Sequence, residues 1–456
     1  MTVQATSPLD AFQWTPQPAP FQFLRECCDA FLSACPTAAA LAQRMTDQTG
    51  TRFIDWIDHV VIPRLDPRAD RLHEVGYSVD GAGPHYTIYR NEAGMFPPVL
   101  VGDLPFELVL KAESVADFAA VHGIQHEIHG QPLGSYRYVA ACDCKPAHLW
   151  VAERHGYRGF ALPKFDATLA IARVRHLEAL RRRRRDFDDD ADGFEHAAGL
   201  IDAAIADLGM DLTCDIWFAA EREYWQRRNH AARVQKARQD RLGLGWANHD
   251  HHTYRSSRRN FKHLVAMWEK LGFHCRERFY AGREAGWGAQ VMEQPTTGII
   301  TFNDVDLTPD ELMGDFSHDG LEEQGTLGTV GLWCGLHGDS FLQAGMHHLE
   351  AQFDFESLRK QLEEEGSVKT MKPFTDFPYL RQAFTEGERW KVDPVRIQKL
   401  LDAQLITDQQ ATQFREQGAI GSHLENLERN DGFKGFNQTG VSEIISATDP
   451  RKQVRN

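Results

Sequence analysis

The sequence predicts an α+β protein whose C-terminal half, residues 246–456, is built from paired β-α-β-β-β modules. Two observations carry this expectation. Short runs of period-two alternation are interleaved with amphipathic helical stretches, and the same element order appears twice. In each of the two modules a histidine pair opens the first strand about seven residues before a helix begins, as His251-His252 and His347-His348.

The first module reads HHTYRSS, the helix RRNFKHLVAMWEKLGF, then CRERFYAG, WGAQVMEQ and GIITFNDV. The second opens with HHLEAQF and the helix DFESLRKQLEEEG, and the helical stretch PVRIQKLLDAQLITDQQATQFREQ separates its later strands. The repeat lies in element order rather than in residue identity.

Three segments precede these modules. Residues 1–66 read as helical, with Phe21, Leu24, Cys28, Phe31 and Leu32 on one face and Phe53, Trp56 and Ile57 on the next. Residues 67–165 are β-rich and hold a degenerate module that starts at FELVLKA and counts QHEIHG among its strands. Residues 166–245 return to helix. A chain of 456 residues needs more than one core.

Composition narrows the function classes. The apolar share of 42% and charged share of 25% are those of a globular protein, and no run of roughly 18 apolar residues is available to span a bilayer. The N-terminus lacks a basic region followed by an apolar one, so no secretory signal is read and the cytoplasm is expected. A net charge of −15, without basic residues interleaved with aromatics, argues against nucleic acid as a partner. Eight scattered cysteines show no disulfide spacing, so reduced thiols are expected; Cys142 and Cys144 make at most half a zinc site. The arginine run 181–185, followed by Asp186, Asp188, Asp189 and Asp190, reads as a solvated helix end. His337 reads as a loop histidine.

The chemistry concentrates in the histidine pairs. Alternation along the first strand sends His251, Thr253 and Arg255 to one face and His252 and Tyr254 to the other, so one histidine of each pair can face a shared cavity. Neutral imidazole is the commonest ligand for borderline divalent metals, and two from related strands converge if the modules pack about a pseudo-twofold. Glu293 and Glu443, both on β-like runs, compete to be the carboxylate partner. Two histidines and one carboxylate leave coordination positions open. Arg255, in the same cavity, offers a fork of donors to a substrate carboxylate.

These segments resemble the 2-oxoadipate dioxygenase/decarboxylase family, a branch of the vicinal oxygen chelate superfamily. DHHTYRSSRRNFKHLVAMWEKLGF is similar to the family's His-x-x-x-Arg strand and following helix, and FNDVDLTPDEL to the segment ending its first module. AGMHHLEAQFDFESL is similar to the strand bearing the second histidine, and GVSEIISATDPR to the Gly-x-x-Glu-Ile metal-glutamate strand. The resemblance implies metal ligands His251, His347 (in preference to His348) and Glu443, with Arg255 binding substrate. It further implies a non-haem Fe(II) enzyme that uses dioxygen on a small 2-oxo acid, releasing CO2 and a hydroxy acid, with no organic cofactor.

The chain departs from the family in three places. About 250 residues precede His251, almost none follow Glu443, and Gln352 stands where an arginine is expected after the second histidine. Two other readings share the fold. An oxygen-independent lyase or isomerase would use a fourth protein ligand, for which Glu293 is the candidate, and a non-catalytic binding protein would leave the three ligand residues apart. The N-terminal half is expected to cap the cavity or to form a homo-oligomer surface.

Overall fold

The computed structural model describes residues 13–144, 147–437 and 449–452. It contains two sheets. The first is made of β1 (Ile57–Pro63), β2 (Ser78–Ala82), β3 (Tyr86–Arg90), β4 (Val99–Gly102), β5 (Phe106–Lys111), β6 (Tyr136–Cys144) and β7 (Ala147–Arg154), in the order β2-β3-β4-β1-β5-β7-β6. The second is made of β8 (His249–Arg255), β9 (His274–Tyr280), β10 (Trp287–Gln294), β11 (Ile299–Asp306), β12 (His348–Gln352), β13 (Thr375–Phe377), β14 (Leu380–Phe384), β15 (Glu388–Trp390) and β16 (Ala419–Arg429). Its order is β13-β14-β16-β12-β8-β11-β10-β9, with β15 also on β16.

The second sheet is a pair of β-α-β-β-β modules, and the chain is α+β. In the first module β8 runs parallel to β11, and β10 and β9 follow antiparallel. In the second, β12 runs parallel to β16, and β14 and β13 follow antiparallel. The leading strands β8 and β12 meet antiparallel at the centre, with His251 opposite Glu350.

The crossover helices form where apolar spacing demands it. Phe261, Leu264, Val265 and Trp268 repeat at helical period over Phe261–Lys270 and are buried. Gly272, at φ +86°, ends that turn; a side chain there would also strike Met210. The second crossover helix, Phe355–Gly366, is capped by the Asp354 carboxylate, which accepts from the Ser357 N–H. Helices Asp190–Leu208 and Met210–Arg227 cover the back of this sheet, where Trp217 and Phe218 pack on Tyr254, Trp268 and Phe273.

The N-terminal half departs from the expectation in two ways. Helix Pro36–Thr49 ends early, and Ile57, Val60, Val61 and Ile62 enter a strand, because β-branched side chains pack better on a pleated surface than in a helix. The first sheet then repeats the strand order of the second: β1 is parallel to β4 with β3 and β2 beyond, β5 is parallel to β7 with β6 beyond, and β1 and β5 are antiparallel at the centre. Among the described residues four modules are present instead of three, and the one from β5 is a strand short. The run 125–130 makes an isolated bridge, His129 to Tyr138, in place of a strand.

Three further expectations are corrected. Cys35 and Cys144 are joined as a disulfide, with the Cys142 sulfur 3.3 Å from Cys35. The partners lie 109 residues apart, a pairing that spacing cannot show. Within the arginine run, Arg183 is buried against Glu221 and Arg185 is bound to the same carboxylate. His337 ends the helix Thr329–His337, is buried, and meets the Ile420 carbonyl through Nε2 at 3.2 Å. Among the described residues no helix is long and apolar enough to cross a membrane.

Candidate metal centre

Three adjacent strands deliver the site. Along β8, alternation turns His251, Thr253 and Arg255 into one cavity, while His252 and Tyr254 pack against Phe218 on the other side. On β12 the sequence is His348-Leu349-Glu350 and on β16 it is His423-Leu424-Glu425. The two tripeptides pair in register, His348 with His423 and Glu350 with Glu425. Period two sends both leucines into the core, fully buried, and leaves both His/Glu pairs on the cavity face.

The polar atoms converge. His251 Nε2 lies 2.9 Å from Glu350 Oε1, and Thr253 Oγ1 donates to the same oxygen at 3.0 Å. His348 Nε2 contacts Glu350 and lies 3.7 Å from Glu425 Oε2. Donor atoms of His251, Glu350 and Glu425 all fall within 4.8 Å of one another, and those of His347, His348 and His423 form an adjoining group of the same span. All six side chains are buried.

Surrounding residues hold the donors in place. The Asp250 carboxylate meets His251 Nδ1 at 2.7 Å and is itself held by Arg429 Nε at 2.7 Å, which directs Nε2 of the imidazole into the cavity. Gln382 Nε2 donates to Glu425 Oε1 at 2.8 Å. Phe279, Trp287, Phe302, Phe384 and Phe436 wall the cavity, which offers about 70 Å³. At roughly 10–15 Å³ per water, that is room for several waters or a small ligand.

Burial dominates the electrostatics. It pushes the carboxyl groups of Glu350 and Glu425 above the usual range, with Glu425 adding to the rise at Glu350 while Glu350 and Gln382 pull Glu425 back by hydrogen bonding, and it holds His251, His348, His347 and His423 below theirs. Neutral imidazoles facing buried carboxyl groups are a donor set that calls for a cation, since an isolated buried carboxylate is costly. The unmet hydrogen-bonding capacity points the same way. Glu350 Oε2, His347 Nε2, His348 Nδ1 and both ring nitrogens of His423 are buried without a partner among the described residues. Nitrogen and oxygen donors of this kind suit Fe(II), Mn(II), Zn(II) and similar ions.

The expected site residues are distributed as follows. His251 and Arg255 line the cavity. Of the second pair, His348 reaches Glu350 and Glu425, because β12 begins at His348 and shares its face with Glu350. His347 sits just before the strand; its Nδ1 lies 3.2 Å from the Gly421 carbonyl and its ring packs on Trp333. Glu293 lies away from the cavity, paired with Lys434 at 3.0 Å and Arg276 at 3.4 Å. Glu443 is outside the described residues. Arg255 directs Nε to Asp304 Oδ2 at 3.5 Å, and its backbone N–H donates to Ser340 Oγ. Sequence reasoning passed over Glu350, His423 and Glu425. The repeated His-Leu-Glu tripeptide was the available signal, visible once its alternation is compared between the two strands.

No family model and no curated protein sequence matches this chain. Solved structures with some likeness include methylmalonyl-CoA epimerase from Mycobacterium tuberculosis, at 12% identity over 40% of this chain and 88% of that one, TM-score 0.23. A putative glyoxalase superfamily protein from Ralstonia eutropha JMP134 is 14% identical over 59% of this chain and 98% of that one, TM-score 0.33. A triple mutant of 4-hydroxymandelate synthase from Streptomyces coelicolor is 12% identical over 88% of this chain and 99% of that one, TM-score 0.26.

Proposed function

We propose that the chain is a non-haem metal enzyme of vicinal oxygen chelate type, with His251, His348 and Glu425 as metal ligands, that decarboxylates and oxygenates a small 2-oxo acid. The observation that carries this reading is the in-register pair of His-Leu-Glu strands, which sets buried histidines and carboxylates opposite His251 on one face. Two histidines and a carboxylate suit Fe(II) and leave positions free for further ligands. When bound, the metal would supply Lewis acidity and a template for substrate and dioxygen.

The protein's own residues do the rest. Arg255 anchors a substrate carboxylate; its link to Asp304 is long, so little is lost when the guanidinium turns to a better partner. The aromatic wall excludes water and strengthens every charge interaction inside. Asp250 and Gln382 keep His251 and Glu425 oriented. In the overall reaction the bond between the 2-oxo carbon and the terminal carboxyl breaks and CO2 leaves. Of the two oxygen atoms of dioxygen, one enters the new carboxylate and the other the new hydroxyl group.

Glu350 favours a second reading. If it joins the other three as a fourth protein ligand, fewer positions stay open, which suits an oxygen-independent lyase or isomerase.

The test is the metal content of anaerobically purified protein beside His348→Ala and Glu425→Gln, with oxygen uptake and CO2 release followed as Fe(II) and 2-oxo dicarboxylic acids are added. Stoichiometric metal that is lost in both variants, with substrate-dependent uptake and release in equal amounts, is the expected result. Metal without oxygen uptake would replace this reaction by the oxygen-independent one. A protein that takes up no metal would refute both.

A further inference from the structure

A second cavity, of about 130 Å³, lies between the first sheet, helix Met210–Arg227 and the start of β8. Its wall carries Lys111 at the end of β5, Arg173 on helix Ala167–Arg181, Arg222 on helix Met210–Arg227, and His249 at the start of β8. This concentration of positive charge is unusual in a chain of net charge −15.

Two carboxylates, Glu113 and Asp215, share this wall, and both of them, like Asp58 beyond it, are already engaged. Asp58 is bound by both Arg154 Nε at 2.6 Å and Arg154 Nη2 at 2.8 Å. Asp215 is held by His155 Nδ1 at 3.0 Å, and Glu113 by Lys236 at 3.1 Å. Lys111, Arg173 and Arg222 have no carboxylate at ion-pair distance among the described residues. Arg173 donates to the Leu133 carbonyl and Arg222 to His252 Nε2, at 3.2 and 3.3 Å. Lys111 has no hydrogen-bond partner among the described residues, and His249 Nδ1 is buried with none. Burial also pulls the Lys111 ammonium below its ordinary pKa, a cost that a bound anion would offset.

We propose that this cavity binds a small oxyanion, a carboxylate or phosphate group, gripped by Lys111 and Arg222 and bonded by His249, as a site separate from the metal centre. It lies against the side of β8 that carries His252, with Arg222 bridging the two, whereas His251 faces the metal cavity. A ligand here would brace the strand that supplies His251.

The experiment is calorimetric titration of metal-free full-length protein with inorganic phosphate and, separately, with succinate, at fixed ionic strength in chloride. Saturable binding of at least one probe is expected. Lys111→Met and Arg222→Met should each weaken it roughly 10- to 100-fold, the value of one charge-assisted hydrogen bond. Lys111→Arg should retain binding, which separates charge from folding, and Arg255→Met should leave it unchanged. Tighter binding of phosphate identifies a phosphorylated ligand, and tighter binding of succinate a carboxylate. Absence of saturable binding, binding undiminished in Lys111→Met, or loss in Arg255→Met would each overturn the proposal, the last by moving the anion to the metal cavity.

Discussion

Glu221 offers the sharpest test of how the metal strand is held. Its side chain is 1% exposed and takes both Arg183 and Arg185. The same arginines donate onward, Arg183 to the Phe341 carbonyl at 2.6 Å and Arg185 to the Leu342 carbonyl at 3.1 Å. One carboxylate thereby ties helix Met210–Arg227 and the end of helix Ala167–Arg181 to the turn Ser340–Ala344, which leads into β12 and receives the Arg255 N–H. Burial alone would raise the Glu221 carboxyl, but Arg185 and Arg183 outweigh it and hold it below the usual range, while burial and Arg185 lower Arg183 to about 10.

Glu221→Gln keeps the shape and removes the charge, leaving two buried guanidinium groups uncompensated. Breaking a buried pair in this way costs about 3–5 kcal/mol, at least a fifth of a typical folding free energy of about 5–15 kcal/mol. With a urea m-value of roughly 3 kcal/mol/M, the midpoint should fall by about 1–1.7 M. Because the turn precedes His348, metal affinity should fall as well. Adding Arg183→Met should recover part of the stability, since one stranded charge is then gone. A midpoint shift below about 0.3 M, corresponding to less than about 1 kcal/mol, would refute the argument that this carboxylate pins the turn.

Two further outcomes are expected. Burial raises the Asp304 carboxyl to about 7 from 3.8, against the opposing pull of Arg255. The folded protein therefore holds a proton that the unfolded chain has released, and stability falls as pH rises from about 4 to about 7, by at most about 1.4 kcal/mol per unit. In urea melts of the metal-free protein, Asp304→Asn should remove that component; identical pH slopes for variant and wild type would contradict it. A non-reducing peptide map should recover Cys35 linked to Cys144, and recovery of both as alkylated thiols without prior reduction would contradict the pairing.

The α+β class, the two C-terminal modules and the common face of His251, Thr253 and Arg255 were legible in the sequence. Each depends on a local period: 3.6 for the helix 261–270, two for β8. The start of β1 inside a segment read as helical was less legible, because Phe53, Trp56 and Ile57 also suit a helical face and sheet pairing decides between them. What tertiary structure decided was which residues meet. Register between β12 and β16 brings two distant His-Leu-Glu tripeptides side by side, and neither tripeptide alone predicts the other. Pairing across β8 and β12 chooses Glu350 to face His251. The arginine run looked solvated because charge patterning is a local statistic, whereas Glu221 arrives from another helix 36 to 38 residues away. The same holds for Cys35 and Cys144, and for the cations around the second cavity. Periodicity specifies the face of an element, and only packing specifies what that face encounters.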